Sequence, residues 1–222
     1  MKNRVLLLSC LLISGFANAQ FSTGQKVIGG QLNLSVNNSY APNSPGADQK
    51  TTTGGIALSL SQFKSPLRLI GFGVQYAYSD TRYNSTSSSP FENKNNAIGA
   101  FVEFTKLQPL AKKLYLSFTG TGGANYTIAD AYYPNNIKTE TKGYSLYING
   151  GMGLWYQLTN RFVLTGSVSN LLSLSYGHGK TTSYQANNTS VVSAKNDNFA
   201  LTTGLSNFSL GSFGFGVRYL LK

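Results

Sequence analysis

From Tyr144 to Leu158 every second residue can face an apolar medium: Tyr144, Leu146, Ile148, Gly150, Met152, Leu154, Tyr156 and Leu158. The residues between them are Ser145, Tyr147, Asn149, Gly151, Gly153, Trp155 and Gln157. A period of two sustained this far specifies a strand longer than globular sheets need. The polar side of a soluble sheet carries Lys and Glu; here it is small and uncharged. That pattern fits a membrane-spanning barrel, with lipid outside and a narrow polar lumen within.

The ends of the chain support export. Lys2 and Arg4 form a basic start, Val5 to Phe16 an apolar run, and Ala17-Asn18-Ala19 a small-x-small cleavage site. Residues 1–19 therefore read as a secretory signal peptide and residues 20–222 as one barrel domain. The single cysteine, Cys10, leaves with the signal, so disulfides and thiolate chemistry are not expected. No other apolar run reaches the ~18 residues of a membrane helix. Charged residues make up 11 % of the chain, against roughly 25 % in a typical soluble domain.

The same alternation marks eight strands: Val27–Asn37, Thr53–Phe63, Leu67–Ser79, Asn96–Lys106, Lys113–Thr127, Tyr144–Leu158, Arg161–Tyr176, and a last one carrying Phe213, Phe215, Val217, Tyr219 and Leu221. The upstream edge of the last strand is open, because its parity continues back through Leu205 and Leu201 to Phe199. Short connections fall at Lys64–Pro66, Leu107–Lys112 and Leu158–Asn160. Long ones, rich in Asn, Ser, Thr, Gly and Pro, fall at Asn38–Thr52, Asp80–Asn95, Ile128–Lys142 and Gly177–Asn198. The expected fold is an all-β, eight-stranded antiparallel up-and-down transmembrane β-barrel with short periplasmic turns and long extracellular loops. Tyr76, Tyr78, Tyr126, Tyr144 and Tyr176 mark one lipid–water boundary; Phe104, Tyr156, Phe162 and Tyr219 mark the other.

Ser212-Phe213-Gly214-Phe215-Gly216-Val217-Arg218-Tyr219 resembles the C-terminal assembly signal of bacterial outer-membrane proteins, with Ser212, Gly214, Val217 and Tyr219 at its defining positions. Together with the signal peptide and the eight segments, this makes the chain resemble the small outer-membrane barrels of the OmpA/OmpX-like superfamily. The family more often ends at the aromatic, whereas Leu220-Leu221-Lys222 follow it here. The resemblance implies a bacterial outer-membrane location, insertion by the barrel-assembly machinery, outer-membrane lipids as partners and an extracellular ligand at the loops. A role carried by an appended periplasmic domain is not expected.

An interior this narrow is ordinarily filled by its own side chains. Gln31, Asn33, Gln75, Thr119, Thr121, Asn149, Trp155, Gln157, Thr165 and Ser167 have inward parity, which predicts a hydrogen-bonded polar plug. Only two charged residues share that parity, Glu103 and Arg218, on opposite strands near the short-turn end. They are expected to form an ion pair across the lumen, since an isolated buried charge is costly; the alternative is that each is hydrated at the rim.

The net charge of +11 falls to +9 without Lys2 and Arg4. The inner side collects Lys26, Lys64, Arg68, Lys106, Lys112, Lys113, Arg161, Arg218 and Lys222, a basic rim for anionic headgroups or for snorkelling at the interface. These cations are scattered over turns, so nucleic acid is not an expected partner. No carboxylate pair or metal-ligand cluster is evident, and His178 stands alone in a loop. No catalytic residue, cofactor or metal is assigned. The leading functional reading is a non-enzymatic envelope or surface-interaction protein. A narrow gated channel for water or small ions is the alternative, ahead of a lipid-modifying enzyme and a secreted soluble ligand-binding barrel.

Overall fold

The computed structural model describes residues 21–39, 48–84, 91–133, 137–184, 190–203 and 213–221. Residues 1–19, expected to be a signal peptide, and Ser212 lie outside them. Strands β1 (Lys26–Ser39), β2 (Asp48–Ser65), β3 (Arg68–Asn84), β4 (Phe91–Ala111), β5 (Leu114–Tyr133), β6 (Ile137–Gln157), β7 (Phe162–Tyr184), β8 (Ser190–Thr203) and β9 (Phe213–Leu220) make one antiparallel sheet. Each of β1 to β7 pairs with its neighbour in sequence, and β9 closes the ring by pairing with both β7 and β1. The ladder of β8 runs along the outer half of β7, and that of β9 along the inner half, so the two share the eighth wall position.

The register shows how the ring is staggered. Leu154 faces Gly166, which faces Phe215, then Leu32, Ile56, Tyr76, Ile98, Tyr126 and finally Tyr144. One circuit re-enters β6 at Tyr144 instead of Leu154, which is the shear that a closed, tilted barrel requires.

The outer wall is apolar. Leu32, Leu34, Phe72, Val74, Ile98, Ile148 and Phe215 are all more than half exposed, in a band continuous around the strands. Exposed apolar patches on soluble monomers are far smaller than this belt. With its backbone groups paired strand to strand, such a band is stable in lipid. Tyr76, Tyr126, Tyr144 and Tyr176 stand exposed at its outer edge, and Phe104, Tyr156 and Phe162 at its inner edge.

The strands run further outward than alternation alone predicts. Of the connections at Asp80–Asn95, Ile128–Lys142 and Gly177–Asn198, most residues belong to β3 to β8. Polar cross-strand pairs extend these hairpins past the tyrosine belt. Thr51 and Thr81 hydroxyls bond at 3.2 Å, Thr139 and Ser183 at 3.3 Å, and Thr141 and Thr181 at 2.9 Å. Apolar alternation stops where lipid stops, but β-pairing continues. At the inner end, the β6–β7 turn is tied by Thr159 Oγ1, which accepts the N–H groups of Arg161 and Phe162 at 3.2 and 3.0 Å.

Candidate functional site

The lumen has a floor, an ion pair above it and a chamber above that. The floor is apolar: Phe21, Val27, Phe63, Leu69, Leu107, Tyr115, Trp155, Val163 and Leu220 are buried in one cluster at the short-turn end. Phe21 precedes β1 and folds into the barrel mouth. Its ring stacks on Phe63 at 4.6 Å, lies 5.1 Å from Tyr115 and meets Trp155 edge-on at 6.4 Å. The expected plug of polar residues is therefore corrected at this end, with Trp155 part of a hydrophobic seal. Alternation does not reveal it: at the inner tips of β5, β6 and β7 both parities are apolar (Leu114-Tyr115-Leu116, Leu154-Trp155-Tyr156, Phe162-Val163-Leu164), so these strands have no polar face there to show a lumen. Leu220 also accounts for the tail beyond Tyr219. It completes the floor, and its N–H donates to Arg161 O at 2.7 Å.

Glu103 from β4 and Arg218 from β9 meet directly above this seal. Arg218 Nη1 donates to Glu103 Oε1 at 2.8 Å and Nη2 to Oε2 at 3.0 Å, a bidentate fork. Their side chains are 7 % and 14 % exposed, so the alternative of two hydrated rim charges is set aside by geometry. The Ser61 hydroxyl also donates to Glu103 Oε1, and the Arg218 guanidinium lies 4.6 Å from the Trp155 ring centroid. Arg218 thus belongs to the lumen and not to the basic rim. Gly214, Val217 and Tyr219 lie on β9, with Gly214 turned inward and Val217 outward.

Above the pair the lumen is open, a chamber of about 520 Å³. Gln31, Asn33, Gln75, Thr119, Thr121, Asn149, Thr165 and Ser167 line it, as their parity requires, whereas Gln157 is buried below at the floor. The reason it stays open lies in the ladder partners. Phe101 faces Gly73, Tyr147 faces Gly123, Asn125 faces Gly99, Asn33 faces Gly55, Glu103 faces Gly71 and Arg218 faces Gly29. Each of these six side chains lies along the wall across a glycine. A Cβ on Gly123 would sit 2.6 Å from the Tyr147 hydroxyl oxygen, and one on Gly73 would strike Leu58 O and the Phe101 ring. The abundance of glycine is visible in the sequence, but its pairing with bulky partners depends on the register.

The wall beyond the tyrosine belt carries paired charges. Arg82 bridges Asp80 at 3.0 Å and Glu92 at 3.1 Å; Lys94 reaches Glu92 at 2.9 Å, Lys138 reaches Asp130 at 3.0 Å and Lys142 reaches Glu140 at 2.6 Å. Hydrogen bonds to these carboxylates hold the three ammonium groups above their ordinary pKa. Lys142 faces Lys180, which faces Lys195, a row of three like charges across adjacent strands. His178 lies on β7, not in a loop, and its Nδ1 is 2.8 Å from Asp197 Oδ1, which also accepts the Tyr176 hydroxyl at 2.8 Å. Among the described residues no group of three or more His, Cys, Asp or Glu converges on a metal position.

No protein-family model and no curated protein matches the chain. Solved structures do. The chain is similar to a major outer membrane protein from Thermus thermophilus, at 11 % identity and a TM-score of 0.51, over 88 % of this chain and 99 % of that one. It is also similar to OprG from Pseudomonas aeruginosa, at 12 % identity and a TM-score of 0.48, over 92 % and 99 % of the two chains. The likeness to the Thermus protein shows the fold, that of an outer-membrane β-barrel.

Proposed function

We propose that the protein is a non-enzymatic outer-membrane barrel, closed toward the periplasm, whose interactions occur at its outer end. The observation that carries this reading is the floor. Nine buried apolar residues, Phe21 at their centre, stand between the chamber and the inner turns. An ion crossing that layer would leave water for a lining that is mainly apolar, with few polar groups to replace its hydration. The chamber and the extended hairpins are then addressed from outside. The His178–Asp197 pair lies on the outward face beside the Tyr144 ring, away from the chamber, which supports an anchoring role and no catalytic one.

Outer-membrane lipids are the partners this surface fits first. Like charges directly opposite one another are destabilising; Lys142 is already paired with Glu140, and phosphate groups at headgroup height would offset the Lys180–Lys195 pair. Insertion through the barrel-assembly machinery and an extracellular ligand at the hairpin tips complete the reading. A gated channel is the second reading, because the chamber reaches down to the ion pair lying on the seal.

Single-cysteine variants in a Cys10→Ser background test the orientation and the closure together. A membrane-impermeant maleimide should label Ser175→Cys in the chamber on intact cells, and Ser65→Cys at an inner turn only after permeabilisation. Labelling of Ser65→Cys on intact cells would contradict the reading.

A further inference from the structure

We propose that the lumen chamber is a binding site for a small uncharged polyhydroxy solute of about monosaccharide size, taken up from the outer side. At about 520 Å³ the chamber falls within the range of small-molecule pockets. Its charge balance selects the chemistry. Glu103 and Arg218 neutralise each other through both oxygens and both nitrogens, so an ionic solute finds no free counter-ion at the base. An apolar solute finds amides and hydroxyls.

Those amides are only partly used by the wall. Gln75 Nε2 donates to Asn125 Oδ1 at 2.8 Å and to the Tyr147 hydroxyl oxygen at 2.9 Å, which leaves Gln75 Oε1 as an acceptor and Asn125 Nδ2 as a donor. Asn149 Oδ1 accepts the Ser173 hydroxyl at 2.6 Å, which leaves Asn149 Nδ2. Donors and acceptors side by side are what a hydroxyl group needs, since it both gives and takes a hydrogen bond. Phe101 and Tyr147, whose ring tips lie against Gly73 and Gly123, line the same space. Their rings supply apolar surface for the C–H groups of a sugar while the amides hold its hydroxyls. The glycine pairing makes the space a built feature. In an eight-stranded barrel the default is a filled interior, and here the large residues are held back from it. The inference stands whether or not the floor conducts.

The only tryptophan of the chain, Trp155, lies at the chamber base and reports on it. The folded barrel in detergent, verified by its heat-dependent gel shift, is titrated with glucose and with glycerol, and with glucose 6-phosphate as the ionic control. The expected result is a saturable change in Trp155 emission with a neutral probe, at least about tenfold weaker in Asn149→Leu, as for one lost hydrogen bond. It should be absent in Ser175→Phe, which fills the chamber. A response that never saturates, or one unchanged in both folded variants, would overturn the proposal and leave the chamber to water alone. So would tighter binding of the phosphate ester.

Discussion

Glu103→Gln and Arg218→Met should each destabilise the barrel by about 3–5 kcal/mol, and the double variant should cost far less than the two together. Each single change strands a charge or its hydrogen-bonding partner where little water reaches it, with 7 % and 14 % exposure for the two side chains. The double change removes both the desolvation cost and the attraction. The fork geometry and the Ser61 hydroxyl on Glu103 Oε1 make the loss of the acid the more severe of the two. A double-mutant cycle from urea unfolding in lipid vesicles measures the coupling. Additive losses would show that the two charges do not depend on one another.

Phe21→Ala is expected to cost about 3–5 kcal/mol, the range for removing a buried aromatic ring. The ring is 2 % exposed and contacts Phe63, Tyr115 and Trp155, each from a different strand. A residue ahead of the first strand thus ties β2, β5 and β6 together at the inner mouth. Trp155 emission should shift to the red as water enters the floor, while the chamber and the Glu103–Arg218 pair above it remain. An unshifted spectrum with full stability would mean that Phe21 does not seal the barrel.

The contrast between these two sites shows what a sequence of this kind reveals. Glu103 and Arg218 are legible because they are the only charges on inward parity, and parity is a local property of a strand. That they touch depends on shear, which is set by the pairing of every strand in the circuit. The floor was hidden for a different reason. Alternation identifies a polar lumen, and where Val27, Phe63, Leu69 and Leu107 turn inward the pattern reads as its own absence. The outer hairpins extend past the expected strand ends because Thr and Tyr pair as strands in water as well as in lipid, without the apolar face that marks a membrane segment. The chamber required both kinds of knowledge. The glycines are countable, but only the register shows Gly73 opposite Phe101 and Gly123 opposite Tyr147.

Closure of the lumen at its inner end is the claim on which the functional reading turns, and conductance across a planar lipid bilayer tests it most directly. The folded wild-type barrel should insert and remain silent, with openings appearing when Phe21→Ala is combined with Arg218→Ala. Discrete, reproducible openings of the wild-type protein would contradict the account and establish the lumen as a conducting path.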